Sequence, residues 1–266
     1  MINGICISIN NRCNFGCKYC HFHEKGILDD VDVFKILDNV KTYAKGNFNI
    51  GFVENGEGLL DWLKLKSYIA YLEDYPNISS YIITNGTVPL NDEDWSFLEN
   101  HNANVGFSID DYKELHTKNR GNCFDKAMHN VEAYKHVTGH YLTFNAIVGE
   151  DSLLNADKVI NFFKPFGVRV TFSIIIGRYG ISLQEYRDFL ECDEKKLEVR
   201  RGGLDCTMYD WQCGAGTNNY FFVNGYVYFC GNCIDLPHVG KSNMTFEELE
   251  KISLDFDRNN CYRESL

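Results

Sequence analysis

The first two thirds of the chain alternate short runs of β-branched and aromatic residues with longer segments whose apolar residues recur at helical spacing. The short runs predict strands at 5–9, 48–53, 80–84, 104–108, 141–148 and 168–174. The longer segments predict helices at 31–43, 91–98 and 124–136. Strands that alternate with helices form a parallel sheet, and no Rossmann glycine fingerprint is present. We therefore predict an α/β fold with six strand–helix units in a partial (β/α)6 TIM-like barrel.

Polar residues cluster directly after four of the predicted strands, at 10–12, 54–57, 84–87 and 108–111. The C-terminal ends of parallel barrel strands lie at one edge of the sheet, and that edge carries the active site in barrels of this kind. The four clusters therefore predict one shared site.

The strand–helix alternation ends near residue 198, and a charged, glycine-containing segment follows at 200–203. Asn224 and Gly225 separate two short runs rich in apolar and aromatic residues, which predicts a two-residue β-hairpin. Thr245 and Glu248 have the spacing of a capping box and predict a helix at 246–252. We therefore predict a barrel domain at residues 1–200 and a small β-hairpin-plus-helix domain at 201–266.

Composition and charge restrict the class of protein. With 266 residues, 44% of them hydrophobic, the chain can bury a sizeable core, which excludes a disordered linker. The formal net charge is −11 and the sequence has no basic patch, which argues against nucleic-acid binding. The sequence contains no apolar run of about 18 residues and no charged-then-apolar leader after Met1. We expect a cytoplasmic protein with no membrane segment.

Cysteine is frequent, with 11 residues, and its positions are clustered. An odd number of cysteines without an export signal favours metal or iron–sulfur ligands over disulfides. The first cluster, at Cys13, Cys17 and Cys20, has C-x3-C-x2-C spacing, which can wrap a loop around a 4Fe–4S cluster and leave one iron open. Zinc is the alternative, because His21 or His23 would complete a four-ligand site.

The first cysteine loop resembles the signature of the radical S-adenosylmethionine (radical SAM) superfamily, C-x3-C-x-aromatic-C, with Tyr19 as the aromatic residue. After the second strand, Gly56 and Glu57 match the family's Gly-Gly-Glu-Pro motif, which holds the amino group of SAM. Asn55 and Gly58 replace the first glycine and the proline of that motif. The resemblance implies a radical SAM barrel, and the altered motif leaves open an iron–sulfur protein that has lost SAM chemistry.

Two further strand ends resemble the same superfamily. Residues 84–87, Thr-Asn-Gly-Thr, match the family after the third strand, and residues 108–120 resemble the Ser-Ile-Asp-Gly…His-Asp…Arg segment of its peptide-modifying branch. Asp111 replaces the glycine of that segment, and the resemblance implies that Ser108 and Arg120 contact the ribose and the carboxylate of SAM. The implied cofactor-binding residues are Gly56, Glu57, Thr84, Asn85, Ser108, Asp110, Arg120 and, on the fifth strand, Asn145.

The second cysteine cluster surrounds the predicted hairpin. Cys213, Gly225 and Cys230 have C-x11-G-x4-C spacing, which resembles the opening of the SPASM and twitch domains of radical SAM enzymes, where cysteines hold auxiliary 4Fe–4S clusters. The chain beyond residue 200 has five cysteines, which fits one auxiliary cluster of the twitch type. The predicted ligands are Cys206, Cys213, Cys230 and Cys233, with Cys261 as the rival for the last place. A zinc knuckle that braces the hairpin is the alternative.

The resemblance implies an enzyme that reductively cleaves SAM to a 5′-deoxyadenosyl radical and abstracts hydrogen from its substrate. A peptide or protein substrate is the first expectation, with crosslinking, epimerisation or oxidation as the reaction, and a small-molecule oxidoreductase, dehydrogenase or epimerase is the alternative. The expected partners are a reductase, flavodoxin or ferredoxin as electron donor. A separate leader-peptide-binding protein is a further expected partner, because the first strand starts almost at Met1. No spacing in the sequence selects a catalytic acid or base.

Overall fold

The structure, a computed structural model, describes residues 1–20, 32–53, 55–175, 180–193, 215–216, 218–231, 234 and 237–253. Several predicted ligands lie outside the described residues, namely Cys206, Cys213, Cys233 and Cys261, as do His21 and His23. Among the helices that are described, none is long and apolar enough to cross a membrane.

The described residues contain strands and helices in the predicted alternation. The strands are β1 (Gly4–Ile7), β2 (Phe48–Phe52), β3 (Ile78–Thr84), β4 (Ala103–Ser108), β5 (Thr143–Val148), β6 (Val170–Ile174), β7 (Asn219–Val223), β8 (Tyr226–Tyr228) and β9 (Gly240–Lys241). The helices are α1 (Val33–Tyr43), α2 (Trp62–Ala70), α3 (Asp92–Asn100), α4 (Lys113–Arg120), α5 (Phe124–Thr138), α6 (Glu150–Leu154), α7 (Ala156–Phe163), α8 (Leu183–Asp193) and α9 (Phe246–Ser253). A 3-10 turn, Gly58–Asp61, joins β2 to α2.

The described strands form one sheet in the order β6-β5-β4-β3-β2-β1-β7-β8-β9. Strands β1 to β6 are parallel neighbours in chain order, which confirms the predicted α/β fold with six parallel strands. Strand β7 pairs in parallel with β1 and places Phe221 opposite Cys6, and the antiparallel β8 and β9 follow. The described part of residues 201–266 thus extends the barrel sheet, and the domain boundary at residue 200 stays a prediction.

The two faces of the sheet differ because successive side chains of a strand point to opposite sides. One face belongs to the apolar core, with Ile5, Ile50, Phe52, Ile82 and Phe107 buried. On the other face Gly51 and Gly106 leave room for larger neighbours. A Cβ on Gly51 would lie 2.3 Å from the ring of Tyr81, and one on Gly106 would lie 2.3 Å from Nδ2 of Asn145. This second face is therefore open enough at β2 and β4 to hold polar side chains.

The hairpin and the last helix form as the sequence predicts. Asn224 and Gly225 both have positive φ, 54° and 75°, as expected of a two-residue hairpin turn. At the start of α9, the Glu248 amide donates to Oγ1 of Thr245 at 3.2 Å, and the Thr245 amide donates to Oε2 of Glu248 at 2.8 Å. The ring of Phe246 then stacks on Tyr43 of α1 with a centroid distance of 5.1 Å, which packs α9 against the barrel.

Candidate functional site

The cysteine loop leaves the end of β1 and is tied to α4. Cys13 is exposed, whereas Cys17 and Cys20 are half-buried. The Cys20 amide donates to the Cys17 carbonyl at 3.0 Å, and the Lys18 amide donates to the Asn119 carbonyl at 2.9 Å. Burial raises the pKa of the Cys17 thiol to about 11, against the opposing effect of Arg120. A metal bound here would deprotonate these thiols. Among the described residues, no three His, Cys, Asp or Glu side chains lie close enough together for a single metal ion.

Gly56 packs directly on the backbone of the cysteine loop. A Cβ at this position would lie 2.2 Å from the Arg12 carbonyl oxygen and 2.7 Å from the Arg12 nitrogen. The next amide, that of Glu57, donates to the same carbonyl at 2.7 Å. Asn10 and Asp61 add side-chain contacts across this junction, with Nδ2 of Asn10 donating to Oδ2 of Asp61 at 2.9 Å. The sequence predicted Gly56 as a cofactor residue, and its described contacts are with the loop that carries the cysteines.

The Glu57 carboxylate joins the ends of β2 and β3. It is only 1% exposed. It accepts hydrogen bonds from Oγ1 of Thr84 at 2.7 Å, from the Asn85 amide at 2.6 Å and from the Leu59 amide at 3.1 Å. Burial raises the pKa of Glu57, and these donors act in the opposite direction. The carboxylate is thus held by this chain's own donors, and a direct contact with SAM stays a prediction.

Asn85 connects the end of β3 to the cysteine loop. Its Nδ2 donates to Oδ1 of Asn14 at 2.9 Å and lies 3.9 Å from the Cys13 sulfur. Asn14 donates in turn to Oγ1 of Thr87 at 2.8 Å, and Thr87 donates back to Asn85 at 2.6 Å. The sequence identified Asn85 but not Asn14, whose only signal is a polar residue between two of the cysteines.

The end of β4 holds a buried ion pair. Oδ1 of Asp110 lies 2.8 Å from Nη2 of Arg120, and Oδ2 of Asp110 accepts a hydrogen bond from the Tyr19 hydroxyl at 2.8 Å. The Arg120 guanidinium also lies 5.5 Å from the centre of the Tyr19 ring. Burial opposes the charge of Arg120, but Asp110 and Tyr19 keep the pKa of this guanidinium above its ordinary value. The sequence identified Asp110 and Arg120 separately, and the structure brings them together with the aromatic residue of the cysteine loop.

His116 supports this turn as a neutral side chain. Burial lowers its pKa to about 4, and Arg120 acts in the same direction while Asp110 opposes it. Its Nδ1 accepts the Asp110 amide at 3.3 Å, and its Nε2 lies 3.3 Å from the sulfur of the buried Cys123. The imidazole therefore fixes the backbone of Asp110 rather than a ligand.

Ser108, the last residue of β4, lies opposite Asn145 inside β5. Ser108 is buried. The side-chain amide of Asn145 covers Gly106, which precedes Ser108 by two residues and lies on the same face of β4. Seven of the eight predicted cofactor residues thus lie at or beyond the C-terminal ends of β2, β3 and β4, and Asn145 lies within β5 beside Ser108. Seven of them therefore lie on the side of the sheet where the strand-end clusters predict one site, and their shared binding of SAM stays a prediction.

Residues 7–151 match the family model of the Radical SAM superfamily. The chain belongs to that superfamily. A cysteine-type anaerobic sulfatase-maturating enzyme from a Clostridium perfringens strain is 30% identical to it over 292 residues, which covers 90% of this chain and 77% of the relative. The protein is therefore a radical SAM enzyme, of the superfamily that uses a 4Fe–4S cluster and SAM.

Two solved structures share the radical SAM fold of this chain. Native anSMEcpe with bound AdoMet has a TM-score of 0.77 at 23% identity and covers 96% of this chain and 81% of its own. Streptococcus suis SuiB bound to S-adenosylmethionine has a TM-score of 0.76 at 14% identity and covers 94% of this chain and 65% of its own. At these identities the likeness is one of fold.

The site fits the radical SAM cofactors in its donor chemistry. Three thiols lie on one loop, as cluster ligation requires. Nε of Arg120 is buried and has no hydrogen-bond partner among the described residues. A buried donor of this kind requires an acceptor, and the carboxylate of SAM would provide one. Of the second cysteine cluster, the described residues include Cys230, which is half-buried two residues after β8.

Asp111, which replaces the family glycine, adds a third buried carboxyl to those of Glu57 and Asp110 in the radical SAM site. It is fully buried, and its Oδ2 accepts a hydrogen bond from Oγ of Ser152 at 3.3 Å. Its Oδ1 has no hydrogen-bond partner among the described residues. Burial and the neighbouring Asp110 raise the pKa of Asp111 to about 9, so the side chain is neutral at pH 7.

We expect Asp111→Asn to reduce the slope with which the free energy of unfolding falls as the pH rises. Because the folded pKa of Asp111 lies above the unfolded value, its contribution is complete below the unfolded pKa and is lost as the pH rises towards the folded one. Between pH 5 and pH 8 that loss amounts to at most about 1.4 kcal/mol per pH unit. Denaturant unfolding of both proteins at these pH values measures the difference, with the exposed Asp125→Asn as control. Equal slopes for wild type and Asp111→Asn would contradict this assignment.

Proposed function

We propose that this radical SAM enzyme modifies a peptide or protein substrate and that Cys13, Cys17 and Cys20 hold its 4Fe–4S cluster. When bound, the cluster and SAM supply one-electron cleavage of SAM and abstraction of a hydrogen atom from the substrate. The observation that carries the proposal is the convergence of the cysteine loop with the ends of β2, β3 and β4, through the contacts of Gly56, Glu57 and Asp110.

The residues around the loop have distinct proposed tasks. Gly56 and Glu57 fix the loop against β2 and β3, and Thr84 and Asn85 complete that junction. Arg120 offers its buried Nε to the carboxylate of SAM, and Asp110 orients the guanidinium. Ser108 at the end of β4 and Asn145 opposite it in β5 provide a hydroxyl and an amide for the ribose.

We further propose that residues 201–266 form an auxiliary-cluster domain of the twitch type. Its ligands are Cys206, Cys213, Cys230 and Cys233, with Cys261 as the rival to Cys233. Support comes from the confirmed hairpin turn at Asn224 and Gly225, which directs the chain from β7 back along β8 to Cys230. Zinc at this second site is the competing assignment, and metal analysis distinguishes the two.

A peptide or protein substrate is supported by what the relatives are named for. The Clostridium perfringens relative is a sulfatase-maturating enzyme, anSMEcpe has been solved with a Cp18Cys peptide, and SuiB has been solved with the precursor peptide SuiA. An electron donor of the flavodoxin, ferredoxin or reductase class and a separate leader-binding protein complete the proposed set of partners.

Substrate-dependent SAM cleavage tests the proposed substrate class. The anaerobically reconstituted enzyme is reduced and incubated with short synthetic peptides that contain one cysteine, with serine and alanine analogues as controls. We expect at least one peptide to raise 5′-deoxyadenosine formation and to change in mass by a fixed amount. SAM cleavage that small alcohols or amines stimulate, and peptides do not, would favour the small-molecule alternative.

A further inference from the structure

The pairing of Asp110 with Arg120 uses only part of the hydrogen-bonding capacity of either side chain. A guanidinium and a carboxylate can form a fork of two parallel hydrogen bonds. Here Oδ1 of Asp110 lies 2.8 Å from Nη2 of Arg120 as an ion pair without an aligned hydrogen bond, while Oδ2 accepts a hydrogen bond from the Tyr19 hydroxyl at 2.8 Å. Nε of Arg120 is left buried without an acceptor among the described residues.

The Tyr19 hydroxyl holds the Asp110 carboxylate in this orientation through Oδ2. If Oδ2 of Asp110 lost its donor, it would be a buried carboxylate oxygen without a hydrogen bond, which is unfavourable. Nε of Arg120 is a buried donor on the paired guanidinium without an acceptor among the described residues, so a carboxylate released from Tyr19 would be free to turn and close a fork with it. That closure would take from the site the donor that a ligand carboxylate needs.

We propose that Tyr19 is a positioning residue for SAM: its hydroxyl occupies Oδ2 of Asp110 and thereby reserves Nε of Arg120 for the carboxylate of SAM. The inference rests on the proposed function of Arg120 and extends it to the cysteine loop. Tyr19 lies between Cys17 and Cys20, so the same side chain belongs to the loop that holds the cluster and to the hydrogen bonds that prepare the SAM site. It links the two halves of the cofactor site.

The test compares Tyr19→Phe with Tyr43→Phe in the anaerobically reconstituted enzyme. Tyr43 is the matched control because its hydroxyl likewise donates to a carboxylate, that of Glu250, and accepts from the Ile2 amide, but at the opposite edge of the sheet. Two ligands are titrated by equilibrium dialysis: SAM, and 5′-methylthioadenosine, which has the adenosine and the sulfur but no carboxylate. Iron content and the EPR spectrum of the reduced cluster, with and without SAM, are recorded in parallel.

We expect Tyr19→Phe to weaken SAM binding about tenfold, equivalent to about 1.4 kcal/mol. The affinity for 5′-methylthioadenosine and the iron content stay unchanged, and Tyr43→Phe behaves as wild type. Arg120→Lys keeps the charge but lacks Nε, so it weakens SAM binding similarly, and the double variant is no weaker than Arg120→Lys alone.

Three results would overturn the inference. The first is an unchanged SAM affinity in Tyr19→Phe, and the second is an equal loss of affinity for SAM and for 5′-methylthioadenosine. The third is that Tyr19→Phe and Arg120→Lys weaken SAM binding additively in the double variant. A fall in iron content in Tyr19→Phe would also overturn it, because the hydroxyl would then serve loop folding. Wild-type enzyme that holds its cluster but binds no SAM would instead contradict the proposed function of the barrel site.

Discussion

Gly56→Ala is expected to lower SAM cleavage about 100-fold, because it displaces the loop that carries the cluster ligands. The new Cβ would lie 2.2 Å from the Arg12 carbonyl oxygen and 2.6 Å from its carbon. These are backbone atoms, so no rotamer change relieves the overlap, and the loop itself has to move. That movement also breaks the hydrogen bond from the Glu57 amide to Arg12, which measures 2.7 Å.

The measurement is 5′-deoxyadenosine formation per enzyme together with iron content. Overpacking of this kind also lowers the free energy of unfolding, by about 1–3 kcal/mol. Gly46→Ala is the matched control, because a Cβ at Gly46 has no neighbour within 4 Å. Iron content and SAM cleavage in Gly56→Ala equal to those of Gly46→Ala would show that the loop does not depend on this contact.

The strands and the hairpin, which depend on local sequence patterns, could be predicted from the sequence. Strand positions followed from short apolar runs, and the hairpin at Asn224 and Gly225 followed from residues that tolerate positive φ. Helix α2 was missed, because its apolar residues occupy more than one side. Leu65 and Ile69 are buried whereas Leu63 is 82% exposed, so the amphipathic pattern is blurred.

The candidate site was predictable as a location but not as a set of contacts. Polar residues after successive strands pointed to one edge of the sheet, and the structure places them there. The hydrogen bond from Tyr19 to Asp110 joins residues 91 positions apart, and no local pattern encodes such a contact. The assignment of Glu57 to SAM stays a prediction, and the contacts of its carboxylate with Thr84 and Asn85 are likewise encoded by no local pattern.

The departures from the family motif are accommodated by local contacts. Asn55, which replaces a glycine, is buried, and its amide donates to Oγ of Ser8 at 3.1 Å. Gly58, which replaces proline, opens the 3-10 turn that leads into α2. The loop thus stays anchored between β1 and β2 despite both replacements.

The most direct test of the proposed radical SAM site measures iron content, sulfide content and SAM cleavage after anaerobic reconstitution. It compares the wild type with the triple variant Cys13→Ala, Cys17→Ala, Cys20→Ala. Cys123→Ala, which removes a buried thiol beside His116, is the control. We predict about eight irons per wild-type chain, about four in the triple variant, and no 5′-deoxyadenosine from that variant. Loss of all iron from the triple variant would contradict the assignment of an independent auxiliary cluster. Zinc in place of iron in the wild type would contradict both iron–sulfur assignments. A triple variant that still cleaves SAM like wild type would contradict the assignment of radical chemistry to this loop.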